Sequence, residues 1–91
     1  MAKRYLVSGT AKAYDSIVDA RKEAYNRYYA RPGVLITIYD IKTNLEIGEV
    51  SMITNYAMIT YTDCKTGVMS KLYPSGKIGR IDMMPRGFYK R

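Results

Sequence analysis

The stretch VLITIYDIKTNLEIGEV, Val34 to Val50, decides how the rest of the chain is read. Val34 to Tyr39 is β-branched and aromatic, the strongest strand signal in the sequence. Glu46 onward alternates polar and apolar, with Ile47 set between Glu46 and Glu49, as a half-buried strand does. Between them lies Asp40-Ile41-Lys42-Thr43-Asn44, and an Asp-x-Lys-Thr frame returns at Asp63-Cys64-Lys65-Thr66-Gly67. Two such frames raise the question of a repeated phosphate or metal loop. A Walker-type loop needs several glycines and a following helix, whereas each frame here leads into a strand. A metal loop needs more oxygen ligands than one aspartate supplies. As turns, however, the frames are complete. The aspartate side chain caps its own backbone, and Asn or Gly closes the turn at positive φ with little strain. The frames are hairpin turns.

The same reading extends along the chain in both directions. Upstream, Lys3–Val7 is a short strand ended by Ser8-Gly9. A helix follows, with Asp15 or Ser16 as N-cap and Asp19 three residues after Ser16 in capping-box form. Ile17, Ala20, Ala24, Tyr25 and Tyr28 recur at helical spacing, and Glu23 and Arg27 form an i,i+4 pair. The helix ends near Ala30, before Arg31-Pro32-Gly33. Arg21 falls inside the apolar arc. Its stem either lies over tyrosine rings while the guanidinium reaches out, or presents a cation beside Tyr14, Tyr25 and Tyr28. Downstream, strands are expected at Glu46–Ile53, Tyr56–Thr62, Val68–Tyr73 and Lys77–Met83, with Pro74-Ser75-Gly76 turning the last hairpin. The prediction is one α+β domain over residues 1–91, ordered β-α-β-β-β-β-β, with a single helix packed on a mostly antiparallel sheet. Tyr25, Tyr28 and Tyr39 are expected in its core. Tyr5, Tyr56, Tyr61 and Tyr73 have no assignable face.

Ninety-one residues bury one core, and 47% hydrophobic with 25% charged content is ordinary for a globular chain. The start has no signal-peptide h-region and no apolar run is long enough for a bilayer, so an intracellular, cytoplasmic protein without membrane contact is expected. A single cysteine agrees with that compartment.

Histidine is absent, which removes the commonest general base near neutral pH and any Ser-His or Cys-His pair. Cys64 sits in a turn and reads as incidental. One cysteine without histidine excludes a structural zinc set. The expectation is a non-enzymatic protein with no catalytic residues, cofactor or metal.

Charge points to the partner. Residues 1–64 carry eight Lys/Arg against seven Asp/Glu, whereas residues 65–91 carry seven Lys/Arg against Asp82 alone. A basic end of this kind seeks an anion. The tail, residues 84–91, interleaves Phe88 and Tyr89 with Arg86, Lys90 and Arg91, and aromatics that stack on bases beside cations that track phosphates suit a single strand. Arg86-Gly87-Phe88 resembles the opening of the RNP1 motif of RNA-recognition domains, but Tyr89 departs from it at the next position and the single helix departs from that family's two. The alternative is a frayed tail, or one pinned by Phe88 and Tyr89 on the sheet. The candidate contact residues are Lys71, Lys77, Arg80, Arg86, Phe88, Tyr89, Lys90 and Arg91, facing nucleic acid or a nucleic-acid-handling protein complex. An exposed sheet edge would also allow a homodimer by strand pairing.

With one helix, SIVDARKEAYNRYYA, one hairpin series, LITIYDIKTNLEIGEV, and no catalytic set, the chain resembles in general character the small proteins that phages encode to bind host machinery, anti-CRISPR inhibitors among them. That resemblance implies a stoichiometric inhibitor of a nucleic-acid enzyme, acting in the host cytoplasm. The group shares no motif, so no functional residue is carried over.

Overall fold

A computed structural model describes residues 3–9, 12–53 and 58–81. Its elements are β1 (Tyr5–Val7), β2 (Ala13–Tyr14), α1 (Ile17–Ala30), β3 (Ile36–Asp40), β4 (Leu45–Ile53), β5 (Met58–Asp63), β6 (Met69–Leu72) and β7 (Ile78–Gly79). The strands form one antiparallel sheet in the order β2-β1-β3-β4-β5-β6-β7. The α+β class and the antiparallel hairpin series agree with the sequence. The order of elements along the chain agrees apart from one additional strand, whereas the order of strands within the sheet differs. β2 is an additional strand of two residues, too short for a period-2 signal, in which Tyr14 pairs with Tyr5 and Ala13 with Leu6. The helix therefore leads from the edge strand β2 to β3, and β1 lies between those two strands in the sheet.

Ser16 is the N-cap, its Oγ accepting from the backbone N–H groups of Val18 and Asp19 at 3.1 and 3.5 Å. This satisfies donors that the first turn leaves without partners. Ala20, Ala24 and Tyr28, four residues apart, form the buried stripe, and the two alanines let the helix backbone approach the sheet closely. They meet Val7, Ile36, Ile38, Val50, Ile59, Tyr61 and Leu72 from the strands. Ile38, Val7 and Val50 are fully enclosed, and each such aliphatic side chain contributes ~1.5–3 kcal/mol over an exposed one. Tyr28 and Tyr25 take the expected places, in the core and against it. Tyr39 does not. Alternation along β3 turns Ile36 and Ile38 toward the helix and Tyr39 to the other face, where it is only half-buried.

Both Asp-x-Lys-Thr frames are turns of the same build. In each, the fifth residue donates its backbone N–H to the aspartate carbonyl at 2.7 Å, Asn44 to Asp40 and Gly67 to Asp63. Asn44 and Gly67 have φ of 61° and 76°. The aspartate Oδ1 accepts from the N–H two residues on, Lys42 at 3.0 Å and Lys65 at 2.8 Å. The first turn carries one further bond set: Arg4 grips Asp40 through Nε and a terminal nitrogen, the shortest contact being 2.8 Å. Just beyond it the register shifts, Ile38 pairing with Gly48 and Tyr39 with Glu46, so that Ile47 is the extra residue of a β-bulge.

Candidate functional site

The β6–β7 hairpin carries Lys71 and Lys77, with Arg80 just after β7, whereas Lys65 lies in the β5–β6 turn. Lys71 pairs with Gly79 and Leu72 with Ile78, and Tyr73 donates its N–H to the Lys77 carbonyl at 2.9 Å. Leu72 points into the core, so alternation places Lys71, Tyr73, Lys77 and Gly79 together on the opposite face. The side chains agree. A Cβ on Gly79 would lie 2.8 Å from the Tyr73 ring, which fills that space, and Lys71 Nζ stands 5.2 Å from the ring centroid. Tyr73 is 40% exposed. The geometry thus joins Lys71 and Lys77 around an exposed aromatic that sequence alone left without a face. Arg80 lines a different, shallow groove at the β7 edge with Val68, Ile78 and Ile81. Arg86, Phe88, Tyr89, Lys90 and Arg91 lie outside the described residues, as does the rest of the tail from 84 to 91.

Tyr73 and Lys71 also line a groove of about 490 Å³ that reaches from the second half of α1 round the ends of β4, β5 and β6. Tyr25 and Tyr29 line it from the helix, their rings nearly parallel at 9° with centroids 6.3 Å apart. Met52, Met58, Ile59, Leu72 and Pro74 complete it. Among the described residues, Lys71 is its only charged lining residue. No sequence signal foretold this groove, because it is assembled from a helix and three strand ends. The helical spacing of Tyr25 and Tyr29 was the one visible trace.

A second, wider groove of about 930 Å³ runs along the helix-side face of the sheet past the start of α1. Its charges are mixed, with Asp40, Glu46 and Asp63 beside Arg4, Arg21 and Lys65, and Leu45, Val68 and Ile78 give it an apolar part. Near its rim, ligand atoms of Glu46, Glu49 and Cys64 lie within 4.8 Å of one another. The β4 bulge and the second turn bring these three together, which linear spacing concealed. Cys64 is exposed, and its thiol pKa is pushed up by partial burial and then by the nearby Glu49, Glu46 and Asp63 carboxylates. Such a thiol holds its proton and is a poor nucleophile.

Arg21 combines parts of both sequence readings. Its guanidinium carbon lies 5.2 Å from the Tyr61 ring centroid, and its Nε donates to the Gly76 carbonyl at 2.7 Å. The ring beneath it is Tyr61, which is in the core, rather than Tyr14, Tyr25 or Tyr28.

Comparison with family models, curated proteins and solved structures finds no match to this chain. Among the described residues, no helix is long and apolar enough to cross a membrane.

Proposed function

We propose that this protein is a non-enzymatic binding module whose basic C-terminal third contacts nucleic acid. The observation that carries this reading is the Lys71–Tyr73–Lys77 face. A cation stands over an exposed ring, and a second cation is paired across the hairpin from it. Cations neutralise phosphates and release counterions, while an exposed ring offers a surface to a base. The excess of positive charge in residues 65–91 supports the same partner. Strand addition is a weaker route to a partner, since among the described residues both outer strands, β2 and β7, are two residues long.

The test is fluorescence anisotropy with single-stranded and duplex oligonucleotides at several salt concentrations. Log affinity falls linearly with log salt, and each lost single-strand phosphate contact lowers the slope by ~0.7, so Lys71→Gln with Lys77→Gln lowers it by roughly 1.4. Absence of binding to either nucleic acid at low salt overturns the proposal. A stoichiometric protein inhibitor of the phage type then takes its place, with the wider, mixed-charge groove as the surface to mutate first.

A further inference from the structure

Building on nucleic-acid contact through the Lys71–Tyr73–Lys77 face, we propose that the tyrosine groove beside it takes an unstacked base, so that the protein selects single strands over duplex, with Tyr29 as the stacking platform. Tyr29 is 72% exposed, yet Tyr25 holds its ring nearly parallel to its own. The parallel neighbour fixes the orientation of the ring and its exposure leaves it accessible, at little further cost in side-chain entropy when a base arrives. The volume of about 490 Å³ falls within the range of small-ligand sites and is large enough for a nucleobase, with Tyr25, Tyr29 and Tyr73 all among its lining residues.

Charge decides which occupant fits. Among the described residues no carboxylate lines the groove, and Lys71, the one charged residue among them there, also belongs to the basic face. A base entering the groove thus brings its phosphate toward Lys71, on the face that the hairpin pairing also gives Lys77. The wider groove, lined by three acids, offers a nucleic acid no such match. A duplex keeps its bases stacked and paired, so it reaches the cations but not the ring; a single strand reaches both.

The experiment compares a short oligothymidylate, a duplex, and an abasic oligomer of the same length, with wild-type protein, Tyr29→Ala and Tyr29→Phe. Tyr29 is exposed, so both variants should fold, which circular dichroism checks. Tyr29→Ala should weaken oligothymidylate binding roughly 5- to 150-fold, the range for loss of one stacked base. Its salt slope and its affinity for the abasic oligomer should not move, and Tyr29→Phe should restore wild-type affinity. Equal binding of oligothymidylate and the abasic oligomer by the wild type, or an unchanged affinity in Tyr29→Ala, overturns the groove assignment while leaving backbone contact standing. Failure of the wild type to bind any of the three overturns both.

Discussion

Arg21 lies over Tyr61 of β5 and, from that position, ties the helix to the last hairpin. The guanidinium lies over the ring at 5.2 Å, and the same side chain donates to the carbonyl of Gly76 in the turn that joins β6 to β7. One residue of α1 thereby holds the hairpin that carries Lys71, Tyr73 and Lys77. Arg21→Met should keep the apolar stem and lose both polar contacts, costing ~1–3 kcal/mol in urea unfolding. Arg21→Lys should recover only part, because one ammonium replaces a planar fork that spans ring and carbonyl together. Equal stability of wild type and Arg21→Met would show that the hairpin is held by packing alone.

Gly48 makes room for the same tyrosine. A methyl on Gly48 would sit inside the Tyr61 ring, so Gly48→Ala must displace a buried side chain. The expected loss is ~1–3 kcal/mol or more from overpacking. Pairing it with Tyr61→Leu should recover part of that loss, a coupling a double-mutant cycle measures. Gly67 is the contrast. It has open space around it but a φ of 76°, so Gly67→Ala should cost ~1 kcal/mol from backbone strain alone. Gly67→Val should cost more, while Asn44→Gly should change stability by under ~1 kcal/mol.

Asp40 makes stability depend on acid. The hydrogen bonds from Arg4, and then those from the Lys42 and Thr43 backbone, hold its carboxyl below the ordinary carboxylate pKa against the opposing effect of burial. A depressed folded pKa stabilises the protein above the unfolded value of ~3.9, and that stabilisation is lost as pH falls through the folded pKa. Asp40→Asn keeps an oxygen for the Lys42 N–H but drops the charge. Its Tm should lie below that of the wild type at neutral pH, and the gap should close on acidification below about pH 4. A gap that stays constant would assign the loss to geometry rather than charge.

Cys64 should react slowly with a disulfide reagent at neutral pH, since its thiol pKa is raised. Removing the neighbouring charges with Glu46→Gln and Glu49→Gln should speed the reaction, because the thiolate then costs less to form. Cys64→Ser should leave oligonucleotide binding unchanged. Loss of binding with the fold retained would reverse the reading of this cysteine as incidental.

What the sequence by itself determined here is local. Helix limits followed from Ser16 and from Pro32-Gly33, and the hairpins from alternation and from turns that only Asn44 or Gly67 closes cheaply, because caps and turns are decided by neighbours within a few residues. The net charge of residues 65–91 was legible for the same reason. The tertiary structure alone decided which of those pieces meet. It inserted β1 between β2 and β3, moved Tyr39 off the core face, buried Tyr61 under Arg21, and set Tyr73 among Lys71, Lys77 and the Tyr25–Tyr29 pair. Each of these depends on register, on a bulge at Ile47 and on the path of one helix across the sheet. A period-2 pattern shows that a strand has two faces, but which face is covered depends on residues distant in sequence, and no local propensity encodes that.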